Sequence, residues 1–95
     1  MTTPTPIERI NMVLAYEQVT RDELARRTGI GYNRWLSVIQ GKTKLRLEEI
    51  EAMGNAWPEY RHWLAFGEEL PEAGQISPAT KAAQANLGTH GKAGK

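Results

Sequence analysis

The sequence predicts an all-α fold, a compact bundle of five short helices with a flexible C-terminal tail. Apolar residues recur at helical spacing in successive segments between residues 7 and 67, and Gly or Pro residues separate these segments. After Gly67 the composition shifts to Gly, Ala and polar residues, which bury too little apolar surface to form a core. We therefore expect a lead-in over 1–6, one domain over 7–67 and a tail over 68–95 that contains at most a weak helix at 77–87.

Composition excludes several classes of function. The chain has no cysteine, which rules out disulfides and thiolate metal sites, and neither of its two histidines, His62 and His90, has acidic neighbours at ligand spacing. No apolar run approaches the ~20 residues of a membrane span, and the N-terminus does not resemble a signal peptide. No nucleophile motif or Gly-rich phosphate loop is present. We expect a cytoplasmic protein that is not an enzyme, needs no cofactor or metal and does not enter a membrane.

The first two helices are predicted from an apolar stripe and a capping pattern. Residues 7 to about 16 place Ile7, Ile10, Val13 and Leu14 on one helix face. Thr20 and Glu23 form the pattern of a capping box, in which each side chain bonds the other residue's amide. The second helix then extends to about Thr28, where Gly29 supplies the positive φ needed for a sharp turn.

A third helix is expected from about Gly31 to Gln40, with two faces of different chemistry. Trp35, Val38 and Ile39 share the side that packs into the core. The other side is mostly uncharged and capable of hydrogen bonding, as a base-reading face should be. It carries Asn33, Leu36, Ser37 and Gln40, flanked by Tyr32 and Arg34.

Two further helices complete the predicted bundle. The fourth is expected over 47–56 with Leu47, Ile50 and Met53 facing inward. Pro58 suits the first turn of a fifth helix, which Gly67 closes. The apolar side of the fifth helix consists of Tyr60, Trp63, Leu64 and Phe66.

Charge is unevenly distributed along a chain whose net charge is only +1. Residues 20–46 contain seven basic and two acidic side chains, whereas residues 47–72 contain seven acidic side chains and one arginine. One end of the domain therefore suits a polyanion, and the other repels it.

Several short matches, taken in order, resemble the Cro and phage-repressor (XRE) family of helix-turn-helix proteins. Each is weak alone, but their order and spacing over residues 7–67 are fairly specific. The matching residues are Thr20, Glu23, Leu24 and Ala25, then Thr28, Gly29 and Ile30, the pair Trp35 and Val38, the run from Gly41 to Lys44, the pair Ile50 and Met53, and finally Trp63, Leu64 and Gly67.

This resemblance implies a transcriptional regulator, expected to be a phage or bacterial repressor that occupies an operator in double-stranded DNA as a homodimer. The third helix would lie in the major groove and the flanking cations against phosphates. The fifth helix is the usual pairing element of the family. The implied base contacts are Tyr32, Asn33, Leu36 and Ser37, and the implied phosphate contacts are Arg21, Arg34, Lys42, Lys44 and Arg46. From their helical spacing, Tyr60, Trp63 and Phe66 are expected in the core; the alternative implied by the resemblance is that they form subunit contacts.

A second interpretation stays open on the same residues. Leu36 and Ile39 make the third helix more apolar than many recognition helices, and the acidic segment and the tail offer further contact surface. These features favour a helix-turn-helix scaffold that binds mainly protein, such as an antitoxin or an inhibitor of another regulator.

Overall fold

The computed structural model describes the chain from residue 3 to residue 93. Over this range the chain forms α-helices, two short 3-10 turns and one isolated bridge between Leu70 and Gln75, with no β-strand. The all-α prediction is therefore confirmed. The helices are α1 (Pro6–Glu17), α2 (Arg21–Thr28), α3 (Tyr32–Ile39), α4 (Leu47–Ala56), α5 (Arg61–Phe66) and α6 (Pro78–Ala93), and the 3-10 turns are Pro58–Tyr60 and Pro71–Ala73.

Capping determines where α1 and α2 begin, and one detail differs from the prediction. At α1 both halves of a capping box are present, since the Glu8 amide donates to Thr5 Oγ1 (3.2 Å) and the Thr5 amide donates to Glu8 Oε1 (2.8 Å). At α2 only the Thr20 half forms. The predicted return bond from Glu23 is wrong, because the Glu23 carboxylate pairs with Arg27 one turn later, at 3.0 Å.

The core lies where α1 to α5 converge. Four aromatic side chains of this core are almost completely buried, and each contributes about 1.5–3 kcal/mol or more by leaving water. The buried cluster consists of Ile10, Val13, Leu24, Trp35, Met53, Trp57, Tyr60, Trp63 and Leu64.

A buried arginine joins α1 to the end of α5. Arg9 Nε donates to the Leu64 carbonyl (3.2 Å), and its Nη1 donates to the Pro4 carbonyl (2.7 Å). The Leu64 carbonyl belongs to the last turn of α5, where the helix has carbonyls without intrahelical partners and a partial negative charge. Gly67 follows at φ 74°, and a Cβ there would lie 3.0 Å from Arg9 Nη1.

Two side chains predicted to face inward are exposed instead. Leu47 is 66% exposed and Phe66 68% exposed. On α4, Leu47 points about 120° away from the buried Met53, whereas Glu49 lies only about 40° from it. Hydropathy favours burying the leucine, but the helical period places Glu49 in the core-facing stripe, where it is fully buried.

The chain beyond Gly67 contacts the bundle before and within the first turn of α6. Ile76 and Ser77 are buried, and the Ser77 amide donates to the Glu69 carboxylate at 2.9 Å. Lys81 reaches the carboxylates of Glu17 (2.8 Å) and Glu59 (2.7 Å). The weak helix predicted over 77–87 therefore begins where expected, continues to Ala93 and is attached to α1. Contacts with the bundle extend at least to residue 81, beyond the domain boundary predicted at Gly67.

A hydroxyl–carboxylate contact completes this attachment. The Tyr60 hydroxyl donates to Glu17 at 2.6 Å, and burial together with this bond raises the pKa of Tyr60. Between residues 3 and 93, no helix is long and apolar enough to cross a membrane.

Candidate nucleic-acid interface

A hydrogen-bonded hydroxyl fixes α3 against α2. Thr28 Oγ1 donates to the Leu24 carbonyl (2.7 Å) and accepts from the Trp35 indole nitrogen (2.9 Å) and from the Ile30 amide (3.3 Å). Gly29 ends α2 at φ 75°, as predicted. Trp35 is completely buried, and its one polar side-chain atom is satisfied by the bond to Thr28. The two helices are therefore held in one fixed relation.

The outward face of α3 is available for contacts. Tyr32 is 42% exposed, Asn33 is exposed, and Leu36 and Ser37 are half-buried. Among the described hydrogen bonds, none uses the Asn33 amide group or the hydroxyls of Tyr32 and Ser37. Gly31, the N-cap of α3, provides no side-chain bond to the helix. The four side chains predicted to contact bases thus lie on one surface.

The loop after α3 is folded back on the helix end. Gly41 adopts φ 78°, which turns the chain so that the Ser37 carbonyl accepts from the amides of Lys42 (2.9 Å) and Thr43 (3.3 Å). Both Lys42 and Lys44 have exposed side chains. These bonds place two cations beside the last turn of α3.

A third exposed cation lies at the start of α2. Arg21, like Lys42 and Lys44, has no ion-pair partner among residues 3–93. It lines an open cleft of about 450 Å³ between α1 and α2, to which Tyr32 and Ile39 of α3 also contribute. Uncompensated cations therefore lie at both flanks of the α3 face, as the sequence predicts.

The other two predicted phosphate contacts are engaged internally. Arg34 donates to both carboxylate oxygens of Glu49, at 3.2 and 3.0 Å, and to the Lys44 carbonyl at 2.8 Å. Arg46 Nη2 donates to the same carboxylate at 3.1 Å, and its amide does so at 2.7 Å. The prediction treated Arg34 and Arg46 as solvent-facing cations. It could not include Glu49, which lies 15 residues from Arg34 and was counted as part of the acidic segment.

Glu49 is the main residue of this surface that the sequence analysis missed. Burial alone would raise the pKa of its carboxyl group, but the bonds from Arg34 and Arg46 lower that pKa to about 2. It is therefore ionised at neutral pH and couples α3, the loop and α4. Its spacing from Met53, four residues later on α4, was the available signal.

The acidic segment is less available than its composition indicates. Glu49 is buried, Glu59 pairs with Lys81, and Glu69 bonds the start of α6. Among residues 3–87, whose side chains the structure describes, no group of three histidine, aspartate or glutamate side chains is placed to hold a metal ion; His90 lies outside this range.

Of the three predicted subunit contacts, only one is exposed. Tyr60 is fully buried and Trp63 is 6% exposed, so both belong to the core, as first expected, and the alternative that places them in a subunit interface is wrong. Phe66 is exposed at the end of α5. Nearby, a shallow groove between α4 and α5 contains Leu47, Ile50, Glu51, Asn55, Arg61 and Ala65.

The fold and this surface together define a small helix-turn-helix domain of phage-repressor type. One solved structure, that of Pf6r from the filamentous phage Pf6 of Pseudomonas aeruginosa PA01, is similar at a TM-score of 0.72 and 34% sequence identity. The alignment covers 88% of this chain and 98% of Pf6r. This chain belongs to the same family as Pf6r. No protein-family model and no curated protein sequence matches it.

Proposed function

We propose that this chain is a sequence-specific DNA-binding transcriptional regulator, a repressor that acts by occupying its operator as a dimer. The observation that carries the proposal is the exposed, uncharged face of α3, flanked by exposed cations. Asn33 on that face can bond adenine N6 and N7 together, a contact worth about 1–3 kcal/mol of discrimination between bases. Ser37 and Leu36 can add a polar contact and a thymine-methyl contact.

The flanking cations supply affinity without sequence information. Arg21, Lys42 and Lys44 are exposed and have no ion-pair partner in the described part of the chain. Contacts from such cations to phosphates position a reading helix in the groove. The hydroxyl of Thr28 supports this role because it keeps α3 in a fixed relation to α2.

Dimer formation is the second part of the proposal. Two recognition helices spaced about one helical turn of DNA apart would read a palindromic operator. Phe66 and Leu47 are the exposed apolar side chains at the ends of α5 and α4, and the groove between these helices holds both Arg61 and Glu51. If two copies paired through this groove about a two-fold axis, Arg61 of each copy could face Glu51 of the other.

The decisive experiment is a selection of bound oligonucleotides from a random duplex pool. It should be followed by titrations of the selected and random duplexes at several salt concentrations. Binding through several phosphates weakens steeply with salt, and a palindromic product would report the dimer. If no duplex, including the region upstream of the protein's own gene, binds more tightly than millimolar at low salt, the proposal is refuted.

Two variants separate the proposed roles within this surface. Asn33→Ala should relax preference at one base position and leave the salt dependence unchanged. Lys44→Ala should weaken all sequences about equally and flatten the slope of log K against log salt by about one unit. Equal behaviour of the two variants would contradict the assignment of base and phosphate contacts.

A protein-binding scaffold is the second candidate, and the exposed Leu47 and Phe66 favour it. Apolar side chains along a groove are typical of protein contact sites. The internal pairing of Glu49, Glu59 and Glu69 leaves less free acidic surface for a basic partner. A protein of this kind would bind a partner through α4 and α5 and show no preference among duplexes in the selection.

A further inference from the structure

A buried carboxylate holds two arginines beside the α3 surface. Glu49 is completely buried, and its two oxygens accept four hydrogen bonds from two residues. Three of these bonds come from Arg46 and from Nε of Arg34, at 2.7, 3.1 and 3.2 Å. The fourth comes from Nη2 of Arg34 at 3.0 Å, and the same Nη2 also donates to the Lys44 carbonyl at 2.8 Å.

Both arginines are held by this carboxylate although neither is fully buried. The Arg34 side chain is 23% exposed and the Arg46 side chain 53% exposed. Moving either guanidinium onto a phosphate would leave Glu49 a buried charge with fewer partners, which is strongly unfavourable. A carboxylate that already lies within hydrogen-bonding distance therefore competes with any phosphate for these cations.

As a consequence, residues 20–46 offer fewer unpaired cations to DNA than their composition suggests. Of the seven basic residues between 20 and 46, Glu49 holds two and Glu23 pairs with Arg27. Within the described residues, the cations of that segment without an ion-pair partner are Arg21, Arg26, Lys42 and Lys44. Residues 20–46 thus present four unpaired cations, although they contain seven basic side chains.

We infer that Glu49 is a specificity-determining residue, which acts by withholding Arg34 and Arg46 from DNA phosphates and by fixing the loop 41–46 beside α3. This inference rests on the proposed DNA-binding function. Affinity for phosphates is the same for every sequence and supplies nearly all non-specific binding. Since a regulator must find one site among a large excess of competing sequences, the ratio of specific to non-specific affinity matters more than either alone.

Release of the two arginines would favour random DNA over the operator. In a non-specific complex the protein can settle in any pose that gives a freed arginine a phosphate. At the operator the pose is set by α3, and loss of the bond between Arg34 and the Lys44 carbonyl loosens the loop that carries the proposed phosphate contacts. Release of the arginines should therefore increase affinity for the operator less than it increases affinity for random DNA.

The test is Glu49→Gln, which keeps the side-chain shape and removes the charge. The matched control is Glu72→Gln, which makes the same charge change at an exposed residue of the 3-10 turn Pro71–Ala73, outside the groove proposed for dimer formation. For Glu49→Gln, affinity for a random duplex should rise, and its salt slope should steepen by about 0.9 for each arginine released. The ratio of operator to random affinity should fall several-fold. Glu72→Gln should change neither the salt slope nor the ratio of operator to random affinity by a comparable amount.

The outcomes separate this inference from a purely structural role. Destabilisation alone would lower both affinities and would not steepen the slope, and that result would overturn the inference. Equal effects of the two substitutions would overturn it as well, since net charge would then be the cause. Absence of salt-dependent DNA binding by the wild-type chain would instead reject the proposed function, and it would be seen before any variant is compared.

A second variant keeps the inference testable if Glu49→Gln fails to fold, which circular dichroism would reveal. Arg46→Ala removes a half-exposed side chain that does not contribute to the core. Its salt slope on random DNA should equal that of the wild-type chain, because Arg46 is already held by Glu49. A slope flattened by about 0.9, as expected for Lys44→Ala, would show that Arg46 binds phosphate and would overturn the inference.

Discussion

Replacing Thr28 with valine would test whether one hydroxyl holds α3 in place. The substitution preserves the branched shape and removes the oxygen that accepts from the Trp35 indole at 2.9 Å. Trp35 is completely buried, so its N–H would have no access to water. A buried donor left without a partner costs about 1–3 kcal/mol. With a loss near 2 kcal/mol, a domain of this size should melt about 8–16 °C lower.

Far-UV circular dichroism during thermal and urea unfolding is the suitable assay, because three tryptophans would mix their fluorescence signals. Thr28→Ser is the matched control, since it keeps the hydroxyl. A double-mutant cycle with Trp35→Phe isolates the bond, because phenylalanine lacks the donor. We expect a coupling energy of about 1–2 kcal/mol between the two positions. If Thr28→Val lies within about 0.5 kcal/mol of the wild-type chain, or if the coupling is near zero, the hydroxyl does not fix α3.

Three further predictions concern other contacts. The pKa of Glu49 is lowered from 4.5 to about 2, so its contribution of roughly 3 kcal/mol should be complete above pH 4.5 and lost as the pH falls towards 2. Urea unfolding midpoints measured across that pH range should vary less with pH for Glu49→Gln than for the wild-type chain. An equally steep pH dependence in the variant would show that Glu49 is not the group responsible. Gly67→Ala should destabilise the fold more than Gly74→Ala. Both glycines have φ near 75°, so left-handed strain costs about 1–2 kcal/mol at each position, but only at Gly67 would the added Cβ contact Arg9. Equal losses in thermal unfolding would exclude that contact. Lys81→Ala should speed amide exchange in the first turns of α6 and leave exchange in α3 unchanged, whereas uniform acceleration would indicate global destabilisation.

The helix-turn-helix was predictable from sequence because its signals are local. Thr20 caps α2 because its hydroxyl accepts a hydrogen bond from the amide of Glu23, only three residues later. Gly29 ends that helix because glycine adopts a positive φ without steric cost. Helical spacing also places Trp35 and Val38 inward, as observed. Such signals act within a few residues and need no knowledge of what the element packs against.

The wrong predictions arise where hydropathy and tertiary contacts disagree. The alternative interface role of Tyr60 and Trp63 came from the resemblance, whereas their helical spacing correctly placed both in the core. Leu47 and Phe66 have the hydropathy of core residues and lie at helix ends, beyond the reach of the packed centre. The short α5, at Arg61–Phe66, completes fewer than two turns, so its period alone defines a buried face poorly.

By itself, the sequence determined the helices, their caps, the turn between α2 and α3 and the separation of basic from acidic segments. All of these depend on residues within about one helical turn of each other. Only the tertiary structure decided which cations are free, because Glu49 meets Arg34 through the packing of α4 beside α3. Only it showed that Lys81 of α6 reaches Glu17 of α1, 64 residues away. Ion pairing and burial depend on which elements meet, and a one-dimensional pattern of charge and hydropathy does not specify that meeting.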